Sequence, residues 1–411
     1  MTRMPVSYLR QNLALILLLI LLNRTPHPLS AAEFDQEKLE GLRATIQKFV
    51  DNKTVAGAVA AIGSREGIVV SEAVGNLNRE QKLPMPAEAV FRIASMTKPI
   101  TAIAVMMLVD EGKLSVDDNV EKYLPEFKKQ MLVESSTAGK VTLKPPARPI
   151  TIRDLLTHTS GLPGAYPVGI ADLYVTRHLT LGESVAISSQ RPLEFEPGTK
   201  WAYCNSGIDA LGHIVEVVSG TSFEEFLERR LFLPLGMFDT TFYPNDEQLQ
   251  RLAALYETKE GELRPVGFQL LGPTKNARHP IPAGGLYSTV HDLGHLYRLM
   301  LTQGAIGELR LLSEKSVHEM TRIQIGELAG GFTPGVSMGL GWQVTRKPEG
   351  VHAMMSAGTF GHGGAFGTQG WIDPGQDLFV ILLIQQSGLP NADASEIRRD
   401  LQKVAVDALV R

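Results

Sequence analysis

The sequence contains very little cysteine and no excess of positive charge. Its 411 residues include a single cysteine, Cys204, so an internal disulfide is excluded and the core must hold without one. Acidic residues outnumber basic ones by 44 to 40, and no basic patch or stripe is present. Nucleic acid is therefore not an expected partner.

A hydrophobic run of membrane-spanning length is also missing from the start of the chain. Residues 1–32 contain Arg3 and Arg10, then an apolar run of ten residues, a third arginine at 24, and finally Ser30, Ala31 and Ala32. This order is typical of a secretory signal cut after Ala32, and ten residues fall well short of the roughly 20 that cross a bilayer. We expect a periplasmic or secreted protein without a membrane span after signal removal; an uncleaved anchor is the alternative. Removal would change the net charge from −4 to about −7.

The order of periodic segments predicts a sheet built from both ends of the mature chain, residues 33–411. Strand patterns lie near both ends, at 55–62, 67–74, 340–346, 363–372 and 378–385. A final helix should follow the last strand, with Ile397, Leu401, Val404 and Ala408 on one face. The middle has longer helical patterns and proline-rich loops. We therefore predict an α/β fold of the α+β kind, with an antiparallel sheet flanked by helices and an inserted, mainly helical lobe. The sheet lobe would comprise about 33–95 and 280–411, and the helical lobe about 96–279.

A first candidate site is Ser95 with Lys98, at the predicted start of a helix. The next stretch, 100–109, is apolar on nearly all sides, so this helix should be buried. The two side chains share a helix face, and the helix start favours a developing anion and helps keep the lysine partly neutral. A neutral lysine can take the proton of a serine. By itself, however, the pair favours a simpler alternative, an N-cap serine followed by a solvated lysine.

A second candidate lies in the stretch 194–207, EFEPGTKWAYCNSG. Tyr203 could relay a proton there, and the amide of Asn205 could hold a substrate carbonyl. A buried aromatic residue with a turn asparagine is the structural alternative. Tyr243 and Asn245 have the same spacing, so this motif does not stand alone either.

A third candidate is GHGGAFG, residues 361–367, which we expect to open a strand. Its glycines would let a substrate backbone lie close to the strand edge, and His362 would supply a polar or cationic group. A glycine-rich entry to a strand is the alternative.

Taken in this order and context, the three motifs resemble the serine β-lactamase-like family. That family includes class C β-lactamases, D-Ala-D-Ala peptidases and β-lactamase-like esterases, and the resemblance covers nearly the whole mature chain. The segments that carry it are FRIASMTK (91–98), LLTHTSGLP (155–163), PGTKWAYCNSG (197–207), PLGMFDTTF (234–242) and PAGGLYSTVHDL (282–293). The PGT-x-W lead-in belongs to the catalytic motif, which selects Tyr203 over Tyr243.

The resemblance implies a role for each catalytic residue. Ser95 would be the acylated nucleophile, Lys98 its base partner, and Tyr203 the proton relay. The deacylation pattern of class A β-lactamases, Glu-x-x-Leu-Asn, is absent from the chain. Deacylation would therefore also proceed through Tyr203 and Lys98. Neither a metal nor a cofactor is implied.

The resemblance also implies a set of substrate-binding residues. Asn205 would contact the substrate, and His362, Gly363 and Gly364 would line the site. The backbone N–H of Ala365, together with that of the nucleophile, would form the oxyanion hole.

These residues predict a serine hydrolase that forms an acyl-enzyme with a small ester, amide or β-lactam. Family members that handle β-lactams usually carry Thr or Ser where this chain has Gly363, and that hydroxyl helps hold the substrate carboxylate. Its loss should weaken carboxylate recognition about ten- to a hundredfold. We therefore expect an esterase-like member. The alternatives are a class C-type β-lactamase or D-Ala-D-Ala carboxypeptidase, and a non-catalytic binder of peptidoglycan or peptide fragments.

Three other features are expected to be structural. Ser337 lies in a Gly-x-Ser-x-Gly match to the α/β-hydrolase elbow, but a strand-like stretch follows it and no histidine lies beyond His362. His291 and His295 have zinc-helix spacing, with Asp in place of the usual Glu between them. His158 is expected to form structural hydrogen bonds.

Overall fold

The computed structural model of this chain describes residues 31–410, apart from 138, 165–174, 267–271, 275 and 390–391. From Ala32 onward the described residues form one compact unit. The expected signal lies almost entirely outside the described residues. Among the helices that are described, none combines the length and the apolar character needed to cross a bilayer.

An eight-stranded antiparallel sheet joins the two ends of the compact unit. Its strand order is β12-β13-β14-β15-β16-β1-β2-β3, so the first strand pairs with the last strand of the sheet. The alanines at 58, 60 and 61 of β1 lie opposite residues 384, 382 and 381 of β16. The strands of this sheet are β1 (Gly57–Ser64), β2 (Gly67–Asn78), β3 (Leu83–Pro84), β12 (Val336–Met338), β13 (Gln343–Thr345), β14 (Phe360–Gly363), β15 (Gln369–Asp373) and β16 (Leu378–Ile384).

Shorter strands lie outside this sheet. They are β4 (Phe91–Arg92), β5 (Leu132–Thr137), β6 (Lys140–Lys144), β7 (Tyr256–Lys259), β8 (Glu262–Pro265), β9 (Tyr287–Ser288), β10 (Ala305–Ile306), β11 (Leu309–Arg310) and β17 (Gln386–Ser387).

Helices cover both faces of the large sheet and fill the middle of the chain. The α-helices are α1 (Gln36–Asp51), α2 (Thr97–Asp110), α3 (Ile152–Leu156), α4 (Leu181–Ser189), α5 (Asn205–Ser219), α6 (Phe223–Leu227), α7 (Leu233–Leu235), α8 (Asp246–Gln250), α9 (Val290–Leu301), α10 (Glu314–Thr321) and α11 (Glu396–Asp407). Two short 3₁₀ turns matter for the site, at Ala94–Met96 and at Ala392–Ala394.

Strand β1 is buried on both faces, and its alternate residues enter two different cores. Ala58, Ala60 and Ile62 pack with the apolar faces of α1 and α11. Val59 and Ala61 belong to the larger core, which also contains α2, α5 and α9. This division follows from the two-residue period of a strand, which turns neighbouring side chains to opposite faces. The larger core is the one that holds the candidate site.

The predicted fold class is confirmed, with differences in detail. The predicted strands at 55–62 and 67–74 correspond to β1 and β2, and the final helix corresponds to α11. The predicted strand 363–372 is wrong as a single element, because Gly364 to Thr368 form a turn between β14 and β15. The third motif therefore closes one strand instead of opening another. The boundaries of the two lobes stay a prediction.

Candidate active site

Ser95 sits in the tight turn that links β4 to α2. Ala94 adopts a left-handed conformation with φ of 46°, which costs free energy for a residue with a β-carbon. Leu286 holds both sides of the turn: its carbonyl accepts the N–H of Ile93 at 3.1 Å, and its N–H donates to the Thr97 hydroxyl at 3.2 Å. Ser95 is partly exposed although its neighbours in the chain are buried. The turn therefore presents the Ser95 side chain at the surface of the core.

Lys98 is fully buried on the first turn of α2. Its Nζ atom donates to Ser95 Oγ at 3.1 Å and to the carbonyl of Ala283 at 2.6 Å. Burial lowers the pKa of Lys98 to about 7, although the nearby carboxylate of Asp209 acts in the opposite direction. A substantial fraction of the lysine is therefore neutral near pH 7, as a proton acceptor must be.

Tyr203 lies just before α5, and its hydroxyl donates to Ser95 Oγ at 2.8 Å. Burial raises the pKa of the phenol well above its ordinary value, so Tyr203 keeps its proton at neutral pH. Lys98 Nζ lies 4.6 Å from the centre of the Tyr203 ring. The structure thus brings Ser95, Lys98 and Tyr203 together around one oxygen atom.

His158 holds the backbone on both sides of Tyr203. Its carbonyl accepts the N–H of Ala202 at 2.9 Å, and its ring Nδ1 accepts the N–H of Cys204 at 3.2 Å. The two rings, His158 and Tyr203, lie 4.6 Å apart. Burial lowers the pKa of His158 well below its usual range, and Lys98 adds to this effect. His158 is therefore a neutral hydrogen-bonding residue, as its sequence context predicts.

The third motif reaches the nucleophile turn through backbone contacts. Gly364 donates its N–H to the carbonyl of Thr368 at 2.8 Å, and the Thr368 hydroxyl donates to the carbonyl of Ile93 at 3.2 Å. A Cβ atom on Gly364 would lie 2.5 Å from that same Ile93 oxygen, so only glycine fits there. Ala365 follows in the turn and is exposed.

His362 is buried at the end of β14, and its Nδ1 atom lies 2.6 Å from the Gly363 carbonyl. Because a carbonyl can only accept, Nδ1 carries the proton. Burial and the nearby Lys98 lower the pKa of His362 to about 3. With its pKa lowered in this way, His362 is neutral at neutral pH and offers the site a polar group, one of the two roles expected for it.

Aromatic side chains lie beside Tyr203. The Phe332 ring lies 4.9 Å from the Tyr203 ring and 5.6 Å from the Trp201 ring, edge to face in both cases. Phe332 is 45% exposed, so its apolar surface is available to a ligand. Asn205 is half-buried at the first position of α5, two residues after Tyr203.

Sequence reasoning assigned no role to Asp209 or to Ala283, which together position Lys98. Asp209 is buried on α5, and its Oδ1 atom accepts the N–H of Ala283 at 2.9 Å. The carbonyl of Ala283 in turn accepts from Lys98. Asp209 lies four residues after Asn205, on the same helix face, and that spacing was the available signal.

Ser337 on β12 and His291 and His295 on α9 lie on elements other than those that carry Ser95, Lys98 and Tyr203. Ser337 is buried in the middle of β12, between residues that pair with β13, so it has no elbow geometry. His291 and His295 are exposed on α9, whereas Asp292 between them is buried and accepts from the Thr240 hydroxyl at 2.7 Å. Among residues 31–410 as described, no three metal-ligating side chains form a cluster.

The model of the Beta-lactamase family matches residues 42–405. The chain belongs to the Beta-lactamase family. A curated family relative, esterase EstB of Burkholderia gladioli, is 29% identical over 371 residues, which cover 83% of this chain and 89% of that protein. A putative D-alanyl-D-alanine carboxypeptidase of Escherichia coli is 28% identical over 341 residues, which cover 78% of this chain and 74% of that protein.

A solved structure shows the same fold. EstCE1, a hydrolase with promiscuous acyltransferase activity, superposes with a TM-score of 0.77 at 26% identity, covering 90% of this chain and 98% of that one. Family membership and these relatives support a hydrolase of this superfamily.

Proposed function

We propose that this chain is a serine hydrolase that forms an acyl-enzyme on Ser95 and prefers small uncharged esters to β-lactams. The observation that carries the proposal is that Ser95 Oγ receives hydrogen bonds from both Tyr203 and Lys98, at 2.8 and 3.1 Å. A non-catalytic binder would have no evident need for a buried, partly neutral lysine beside a serine.

In the acylation step, neutral Lys98 takes the proton of Ser95 as Oγ attacks the ester carbonyl carbon. The carbonyl oxygen becomes an oxyanion, and the N–H groups of Ser95 and Ala365 would stabilise it. Tyr203 gives its proton to the departing alkoxide and is reprotonated by Lys98, so the alcohol leaves neutral. The acyl group stays on Ser95.

Deacylation reverses these transfers with water as the nucleophile. Tyr203 and Lys98 take one proton from the attacking water. The resulting oxyanion would accept hydrogen bonds from the same two N–H groups. The bond between the acyl carbon and Ser95 Oγ then breaks, and the proton returns to the serine. A carboxylic acid is released, and the starting state is restored.

Three features support an ester preference. Gly363 has no hydroxyl for a substrate carboxylate, and neutral His362 adds no positive charge. Phe332 and Trp201 offer apolar surface beside Tyr203, which suits a short acyl chain. Esterase EstB is a relative whose name points the same way.

The test compares kcat/KM for p-nitrophenyl butyrate and for a chromogenic cephalosporin in the wild-type protein. We expect the ester value to exceed the cephalosporin value about ten- to a hundredfold, given the missing carboxylate contact. A cephalosporin value equal to or above the ester value would end the esterase proposal. A D-Ala-D-Ala peptide cleaved faster than both would favour a carboxypeptidase, in line with the Escherichia coli relative.

A further inference from the structure

Asp393 lies where a side chain at position 363 would project. A Cβ atom built on Gly363 would be 2.2 Å from Asp393 Oδ1 and 2.4 Å from Nε2 of Gln369. A carboxylate therefore occupies the side of the third motif on which relatives acting on β-lactams carry a carboxylate-holding hydroxyl. With a carboxylate in place of a hydroxyl, this side of the motif should attract cationic groups and repel anionic ones.

We propose that Asp393 determines specificity by favouring esters whose leaving group is cationic and by rejecting those whose leaving group is a carboxylate-bearing alcohol or thiol. This inference rests on the proposed acyl-enzyme chemistry at Ser95. The Tyr203 ring lies 6.3 Å from the ring of His362, the residue before Gly363, so Asp393 lies near the residue that protonates the leaving group. The Asp393 carboxylate also adds to burial in raising the pKa of Tyr203.

A chain of hydrogen bonds fixes the Asp393 carboxylate. The indole N–H of Trp371 donates to Oε1 of Gln369 at 3.0 Å, which sets the orientation of that amide. The opposite end, Nε2 of Gln369, then donates to Asp393 Oδ1 and to the carbonyl of Ala392, both at 3.2 Å. The carboxylate is thus held toward Gly363 by a buried side chain.

Arg398 anchors the same turn without covering the carboxylate. Its Nη1 atom donates to the backbone carbonyl of Asp393, and its guanidinium lies 4.1 Å from the centre of the Trp371 ring. The Nη2 atom lies 3.0 Å from Nε2 of His352. Arg398 is buried, whereas Asp393 is half-exposed. The guanidinium weakens the negative field of Asp393, and its hydrogen bond goes to the Asp393 backbone.

Two further titratable groups near the third motif, His362 and Lys98, do not supply a countercharge for a substrate carboxylate. His362 is neutral, and Lys98 is enclosed behind Ser95 with its Nζ atom bound to Ala283. A carboxylate-bearing leaving group at Gly363 would therefore meet a fixed negative charge, whereas a cationic group would be attracted to it.

The test uses three butyryl thioesters with matched acyl groups, whose thiols are thiocholine, neutral 3,3-dimethylbutanethiol and 3-mercaptopropionate. Thiol release at low ionic strength gives kcat/KM for each. We expect the cationic substrate to be fastest and the anionic one slowest in the wild type. Asp393→Asn should lower the cation-to-anion ratio about three- to thirtyfold. The asparagine keeps an oxygen that can accept from Gln369.

Glu396→Gln is the matched control, because it removes one negative charge only three residues after Asp393. The Glu396 side chain is 72% exposed. The cation-to-anion ratio of this variant should stay at the wild-type value. A salt titration of the wild type gives a second test without a substitution, since added salt should reduce the ratio.

An unchanged ratio in Asp393→Asn, with the neutral thioester still hydrolysed, would overturn this inference and leave the proposed function intact. A wild-type ratio that does not respond to salt would do the same. If the wild type hydrolysed none of the three thioesters and did not react with a serine-directed reagent, the proposed function itself would fail.

Discussion

The hydroxyl of Thr368 donates a hydrogen bond to the carbonyl of Ile93, two residues before Ser95. This contact fastens the turn that carries Ala365 to the turn that carries the nucleophile. The N–H groups expected to bind the oxyanion thus belong to two segments that are far apart in the chain and joined at this point.

Gly364→Ala should separate these two turns. Its Cβ would lie 2.1 Å from Thr368 Oγ1 and 2.5 Å from the Ile93 carbonyl, and the backbone oxygen cannot move cheaply. We expect kcat for ester hydrolysis to fall about ten- to a hundredfold, because misplacing one oxyanion donor has effects of this order. Gly41→Ala on α1, where the added Cβ meets no atom within 4 Å, should leave kcat unchanged. Equal losses in both variants would contradict the oxyanion assignment.

Lys98 and Tyr203 should behave as one proton-transfer unit, because both bind the same oxygen of Ser95. We expect Lys98→Met and Tyr203→Phe each to lower kcat/KM about a hundredfold or more, and the double variant to lose little beyond the worse single variant. Steady-state kinetics on p-nitrophenyl butyrate measure this. If the double variant loses the product of the two single losses, the residues act independently and the coupled relay is wrong.

The pH profile of kcat/KM should show a limb set by Lys98. The lysine is active when neutral, so activity should rise as pH increases through about 7, where burial places its pKa. Asp209 raises that pKa by stabilising the ammonium form. Asp209→Asn should therefore move the limb to lower pH by about one unit, so the variant retains relatively more activity at pH 6.

A buried carboxylate on another helix provides the control for this shift. Asp292→Asn removes a buried acid that is hydrogen-bonded to Thr240. The rise of kcat/KM with pH in Asp292→Asn should occur at the same pH as in the wild type. If the limb of Asp209→Asn stays in place or moves to higher pH, Lys98 is not the group that sets it.

The sequence was sufficient to predict those parts of the fold that depend on local period and composition. The short apolar run of β1 and the amphipathic pattern of α11 are visible in the local sequence, and both elements form as predicted. The strand predicted across 363–372 failed because the run of glycines and apolar residues has no periodicity that marks a turn. The contact of Gly364 with Ile93 that requires this turn is a tertiary one.

The residues of the candidate site also fall into those that the sequence predicts and those that depend on tertiary contacts. Ser95, Lys98 and Tyr203 were predicted from motifs whose residues lie close in sequence to recognisable neighbours, and the structure brings them together. Asp393 gave no such signal, since its proximity to Gly363 depends on how α11 returns to the sheet. The lowered pKa of His362 was equally invisible, because it results from burial and from Lys98, which lies far away in the chain.

The central claim is that Ser95 carries the acyl group, and covalent labelling tests it most directly. The wild type, Ser95→Ala and Ser337→Ala would be incubated with a small fluorophosphonate and analysed by intact mass and peptide mapping. We predict one adduct, on the peptide that contains Ser95, in the wild type and in Ser337→Ala, and none in Ser95→Ala, which should also lose ester hydrolysis. An adduct on Ser337, or labelling and hydrolysis that persist in Ser95→Ala, would contradict the assignment.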